Sequence, residues 1–258
     1  MKKAKLIIYW DYELEIEKNI PTTAGMRAGG LKSYNNTEFI LDTLEKNKIK
    51  SCFAVVGYNA EKGKLPFHAP EQVKRMAKEG HEVASHGYTH RDISLLSRKE
   101  LLEEFRKSKK ILEKVTKQEC ISFAPPRNMP MRFIGFSVSL GRRYKLNKKK
   151  VSFNQILDAL KEAGYKTFRV YYKGTFKKQK LKKEKGMLLI PLVFAAGFGK
   201  KSLDCVDQAI KNQGLAVVYS HTKGIDRQKE EFKKFINYIK EKQDKGKIDV
   251  ITPRDLIR

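Results

Sequence analysis

Residues 80–90 read GHEVASHGYTH. Gly80 closes the helical pattern before it, because a glycine just past a helix takes the left-handed turn without steric cost. Residues 81–85 then read as a short strand. The reactive side chains His86 and His90 come directly after that strand. Helix, strand, then polar residues at the strand's C-terminal end is the order of a β/α barrel, whose active sites are built on that rim.

The same order repeats outward in both directions. Further strand candidates are 6–10, 51–56, 120–124, 166–170, 187–193, 215–220 and 248–251. Between them lie helical patterns with readable ends. Asn36 or Thr37 is expected to cap a helix running through Phe39, Ile40 and Leu44. Pro70 suits the first turn of the helix that Gly80 closes. Ser97 with Glu100 and Ser152 with Gln155 are capping boxes, and Gly164 ends the second helix. Helices also fit 202–212 and 227–242. Seven or eight β-then-α units in series, without a long linker, predict one α/β domain over 1–258 built on a parallel barrel. An open doubly wound sheet is the alternative, but no GxGxxG follows the first strand to support a dinucleotide fold. Residues 129–150 are basic, rich in Gly and Arg, and too long for an ordinary connection. They are expected to form an inserted loop over one rim.

Composition narrows the class. Apolar residues make up 40% of the 258, enough for a sizeable core, so disorder is not expected. No stretch approaches the ~20 apolar residues of a membrane span. The first residues, MKKAKLIIYWDYELE, have an apolar run too short for a signal peptide, and the start is read as the first strand of a cytoplasmic protein. Cys52, Cys120 and Cys205 are scattered, with no CxxC, which argues for buried thiols rather than disulfides or a thiolate zinc site. The net charge of +26 points to an anionic partner or to solvated helix faces. Lysine clusters at 148–150 and 173–185, the latter near Tyr171, Tyr172 and Phe176, carry much of it. Charge without a docking motif does not make a nucleic-acid protein. A phosphate-bearing substrate or peripheral contact with the inner membrane surface is the expectation instead.

The chemistry-bearing residues fall where a barrel would use them. Asp11 and Glu13 follow the first strand, His86 the third, Arg127 the fourth, and His221 the seventh, while Arg169 ends the fifth. The H-x-x-x-H spacing of His86 and His90 puts two imidazoles within reach of one ion. Asp11 and Glu13, two apart on extended chain, face the same way. One can complete a His, His, carboxylate site with open positions, and the other can act as a base. His221, at the mouth of an apolar strand, suits a general acid for a leaving amine. Arg127, aimed by Pro125 and Pro126, is expected to orient a carboxylate base. Arg169 either does the same, binds substrate or is surface charge. His81 precedes its strand and belongs to the opposite, stability face. His68 is read as a surface residue.

At these residues the chain resembles the polysaccharide deacetylase family, the NodB-homology or carbohydrate esterase family 4 group. Residues 80–90 look like its HxxxH metal motif, and SCFAVVG, 51–57, like the strand ahead of it. WDYEL, 10–14, is similar to the first motif, SFAPPRN, 122–128, to the third and VVYSH, 217–221, to the last. The resemblance implies a distorted parallel (β/α)7-type barrel. It also implies a divalent metal, usually Zn2+, on Glu13, His86 and His90. Hydrolysis of an N-acetyl group from an amino sugar in a glycan or glycan precursor would follow, and the positive charge with the short apolar N-terminal run suits a phosphorylated or lipid-linked form of it. Asp11 would be the base, His221 the acid and Arg127 the residue holding Asp11. The sequence departs from the pattern at Tyr12, where many members carry a second aspartate. Ala124 stands where the common third motif has arginine, and an Asp-rich fourth motif is missing. Hydrolysis of another small C–N amide and an inactive glycan-binding barrel are the alternatives.

Overall fold

The computed structural model describes residues 3–16, 24–128, 151–171, 181–192 and 197–257. The strands are β1 (Ala4–Tyr12), β2 (Cys52–Val55), β3 (Glu82–Ser85), β4 (Ser122–Phe123), β5 (Thr167–Tyr171), β6 (Lys182–Glu184), β7 (Met187–Leu192), β8 (Leu215–His221) and β9 (Ile248–Val250). The helices are α1 (Ala24–Lys46), α2 (Pro70–Lys78), α3 (Arg98–Thr116), α4 (Phe153–Glu162), α5 (Lys200–Asn212) and α6 (Lys229–Asp244). The sheet runs β6-β7-β5-β4-β3-β2-β1-β8, with β9 also on β1. Eight strands run parallel to their neighbours, and β6 adds an antiparallel edge to β7. Among the described residues β7 and β8 share no ladder; Gly197 N–H donates to Tyr219 O at 2.9 Å across the gap. The sheet is thus curled into a distorted (β/α)7-type barrel, as the sequence implies.

The period-2 alternation of β1 builds two cores. Ile7 and Tyr9 point into the barrel with Cys52, Ala84, Ile190, Val217 and Tyr219. Leu6, Ile8 and Trp10 point outward to the helices, where the Trp10 ring meets Phe198 and Phe232 at 5.0 and 5.2 Å. Asp11 continues the inward series, which is why a carboxylate lies at the top of an apolar barrel. β1 splits its second edge: residues 9–12 pair with β2 and residues 4–6 with β9.

Both capping boxes form, at Ser97 with Glu100 and at Ser152 with Gln155, and Pro70 opens α2. The helix expected to start at Asn36 or Thr37 begins instead at Ala24. Thr37 Oγ bonds back to Ser33 O at 2.8 Å, as a mid-helix threonine does. The first half of α1 lacks an apolar stripe and carries glycines, so propensity argues against it. Tertiary contacts to the turn Thr222–Gln228 override propensity there. Ser33 Oγ lies 2.9 Å from Thr222 Oγ1, Asn36 donates to Lys223 O, and Lys32 pairs with Asp226. A Cβ on Gly29 would come within 2.6 Å of Glu15 Oε1, so the glycine admits the chain that follows β1. The polar strand β6 has no apolar signal and escapes the sequence reading. All three cysteines are buried and outside any disulfide. The inserted loop over 129–150 and most of the 173–185 lysine run lie outside the described residues. No helix among the described residues is long and apolar enough to cross a membrane.

Candidate metal and catalytic site

The C-terminal ends of β1, β3, β5 and β8 bring five of the six expected residues together, and Arg169 with them. Glu13 is fixed by its backbone. Ser33 Oγ donates to Glu13 O at 2.9 Å, and Leu14 N–H donates to the buried Asn59 side chain at 3.1 Å. His86 Nδ1 lies 2.7 Å from Ala124 O. A carbonyl only accepts, so Nδ1 carries the proton and the lone pair of a neutral ring lies on Nε2. That Nε2 is 3.2 Å from Glu13 Oε1, and His90 Nε2 is 3.1 Å from the same oxygen.

This geometry tests whether a metal fits. A carboxylate oxygen and an imidazole lone pair held 3.2 Å apart repel unless a cation reconciles them. The donor set is two imidazoles and a carboxylate, the side chains that catalytic zinc uses. One imidazole is oriented through its other nitrogen by a backbone carbonyl, the support metal-binding histidines usually have. Glu13, His86 and His90 thus fit a divalent ion, their ligating atoms all lying within 4.8 Å of one another. Burial works to raise the Glu13 carboxyl, but in the metal-free site His86 and His90, when protonated and so able to donate to it, outweigh burial and hold it well below the usual carboxylate range.

Asp11 sits beside this triad. It is 3% exposed and registers against His221 on β8. Arg169, inside the barrel and 1% exposed, grips it with two hydrogen bonds, Nη1 to Oδ1 at 2.6 Å and Nη2 to Oδ2 at 2.9 Å. The guanidinium lies 5.0 Å from the Tyr9 ring and 5.4 Å from the Tyr219 ring, stacking within reach of both. Burial raises the Asp11 carboxyl, but Arg169 and then His86 more than offset it, leaving it below its ordinary value. Asp11 Oδ2 is 4.0 Å from His86 Nε2 and 3.9 Å from His221 Nε2. The His221 side chain is half exposed, so it faces both Asp11 and solvent.

Arg127 does not take the part the sequence suggests. It is exposed, at φ 60 on a short turn over Pro126–Asn128, and no hydrogen bond joins it to Asp11 among the described residues. The reason is geometric. Pro125 and Pro126 carry the chain over the rim, whereas β5 points Arg169 into the barrel, where the buried carboxylate needs a counterion. His81 lies buried below the rim, against Phe53, at the N-terminal end of β3. His68 is half-buried and touches Tyr58 O at 2.9 Å, rather than standing on open surface. One residue on the site's periphery was not foreseen at all: Glu104 on α3, which binds the turn between His86 and His90. Its signal is a charge inside the apolar stripe of Leu101, Phe105 and Leu112.

The site is thus a His, His, carboxylate cluster that could hold a metal ion, beside a buried carboxylate, on the rim of a curled parallel β/α barrel. Residues 30–129 match the family model described as polysaccharide deacetylase, the family whose motifs these residues resemble. A peptidoglycan-N-acetylglucosamine deacetylase of Bacillus cereus is 34% identical over 79 residues, 31% of this chain and 26% of that protein. The curated relatives compared are matched over 18–38% of their own length. A solved structure from Mycobacterium smegmatis assigned to the polysaccharide deacetylases superposes with a TM-score of 0.72 at 15% identity, covering 99% of this chain and 90% of that one. The Puue allantoinase superposes with a TM-score of 0.70 at 15% identity, covering 97% and 88%. At that identity these structures speak for the fold.

Proposed function

We propose that this protein is a metal-dependent hydrolase that removes an N-acetyl group from an amino sugar in a glycan or glycan precursor. The observation that carries the reading is the convergence of Asp11, Glu13, His86, His90 and His221 on one rim, with Asp11 locked by Arg169. Relatives named as peptidoglycan and chitooligosaccharide deacetylases support the substrate class.

Glu13, His86 and His90 would hold a divalent ion, zinc by the character of the donors, which when bound supplies Lewis-acid polarisation and acidifies water. Asp11 is held anionic and oriented by Arg169, and it takes the proton of the attacking water at Oδ2, the oxygen nearer His86 and His221. His221 gives a proton to the departing amine nitrogen, which cannot leave as an anion. Arg169 touches no substrate atom in this scheme. It fixes the Asp11 carboxylate so that no reorganisation is needed during proton transfer. A phosphate-bearing precursor met in the cytoplasm would suit the charge of +26.

The test pairs metal content with acetate release. Wild type is expected to carry about one zinc per chain and to release acetate from one or more of a panel of N-acetylated sugars. The His86→Ala, His90→Ala double variant should do neither. Wild type that takes up no metal when zinc is supplied would sink the reading. The likeness in fold to an allantoinase supports a second reading, hydrolysis of another small C–N amide, so the panel includes cyclic ureides and formamides. Release from those alone would move the assignment. Metal without any turnover would favour the inactive glycan-binding barrel.

A further inference from the structure

His90 holds a left-handed backbone, φ 56, and so does Gly87 at φ 78. For glycine this is free. For a histidine it is unfavourable and persists only when the surroundings impose it. The polar groups of this turn show what imposes it. Tyr88 N–H and Thr89 N–H both donate to Glu104 Oε2 at 2.9 Å, and Thr89 Oγ donates to Glu104 Oε1. Gly87 O accepts from Gly57 N–H at 2.9 Å and from Ser108 Oγ at 3.1 Å, and Tyr88 O accepts from Tyr58 N–H at 2.9 Å. Glu104 and Ser108 are four apart on α3, so they share one face and meet the turn together.

Glu104 is 6% exposed, yet no lysine or arginine lies within ion-pair distance of it among the described residues, in a chain with 55 of them. A carboxylate buried with only the more distant charge of Lys107 beside it is expensive unless its oxygens are fully used. Here three donors from two consecutive residues use them, and those residues lie between the two imidazoles.

We propose that Glu104 is a positioning residue of the metal centre. Through Tyr88 and Thr89 it fixes the left-handed turn that brings His90 Nε2 back to Glu13, so that the two histidines meet one ion. This rests on Glu13, His86 and His90 being the metal ligands. It predicts a defect in metal binding rather than in folding. In Glu104→Gln, one oxygen becomes an amide that cannot accept, and its N–H groups oppose the turn's donors. Thr89→Val keeps the shape and both N–H donors but removes the third.

The experiment titrates zinc alone into wild type, Glu104→Gln and Thr89→Val, against a chromophoric chelator, at a temperature where circular dichroism shows each chain folded. Glu104→Gln should bind zinc about 10–100-fold more weakly than wild type, the usual cost of losing an outer support of a metal ligand. Thr89→Val should shift the same way by less. The cobalt(II) form of Glu104→Gln should show an altered visible band, because a purely structural role would lower melting temperature and leave the ligand field alone. Unchanged zinc affinity and an unchanged cobalt spectrum in both variants, with wild type binding one ion, would overturn the proposal and leave the metal site standing. Wild type binding no ion would overturn the site itself and this proposal with it. If Glu104→Gln fails to fold, Thr89→Val decides between the same outcomes.

Discussion

The Asp11–Arg169 pair invites a double-variant cycle. Both side chains are buried, and both carboxylate oxygens are taken by the guanidinium at 2.6 and 2.9 Å. Arg169→Met removes the counterion and leaves a carboxylate in a barrel otherwise lined by Ile7, Tyr9, Ala84 and Val217. Breaking a buried pair from one side costs about 3–5 kcal/mol, because the surviving charge is uncompensated. Asp11→Asn strands the cation in the same way, although the Tyr9 and Tyr219 rings return part of its solvation. With both changes together nothing charged is left unpaired. The double variant should therefore cost less than the sum of the singles by about 2–3 kcal/mol. A domain has only about 5–15 kcal/mol to lose, so either single change alone should lower the urea midpoint severely. The assay is equilibrium unfolding of all four proteins in chelator, so that bound metal does not stand in for Arg169. Additivity within about 0.5 kcal/mol would refute the argument, since it would mean the two groups do not sense each other.

The remaining predictions concern His221, His81 and the net charge. His221→Gln should slow release of acetate from an N-acetyl sugar by about 10²–10⁴-fold but spare an activated aryl acetate, whose leaving group needs no proton. Equal losses on both substrates would remove His221 as the acid. His81 is buried, accepts Ser51 N–H at Nδ1, and is pushed down to about 3 by burial and then by Lys50 and Arg75. The unfolded chain protonates it below about 6.5 and the folded chain does not, so stability falls as pH drops from there toward 3. By pH 5.5 this amounts to about 1.4 kcal/mol. Unfolding free energies of wild type and His81→Asn from urea titrations at pH 7.5 and 5.5 should diverge by that amount, and parallel behaviour would contradict it. Affinity for a phosphate-bearing sugar should weaken steeply between about 50 and 500 mM salt. Salt-independent kinetics would count against an anionic substrate.

Much of this architecture is legible without coordinates because its signals are local. Eight of the nine strands coincide with short apolar runs, and the missing one, β6, is the polar Lys182–Glu184 edge. The capping boxes at Ser97 and Ser152 act over three residues, so they read directly. The start of α1 does not, because Ser33, Asn36 and Lys32 are held by partners some 190 residues away in the turn after β8.

The site divides the same way. Asp11, Glu13, His86, His90 and His221 each follow or end a parallel strand, and parallel strands deliver whatever follows them to one rim; the sequence alone was enough to gather them. Which arginine serves Asp11 was not readable. Arg127 and Arg169 both follow or end strands, and only the direction of each side chain separates them. One turns outward on a proline-bound loop, and the other points down β5 into an apolar interior where a bare carboxylate would be intolerable. Glu104 is of the same kind. Its grip on Tyr88 and Thr89 exists because α3 packs across the end of β3; its place in the apolar stripe of α3 marks it as buried, but nothing along the chain names its partners. Order along the chain sets which residues reach the rim, because strand direction is shared. Which buried charges meet is decided by desolvation, and desolvation is a property of the folded interior alone.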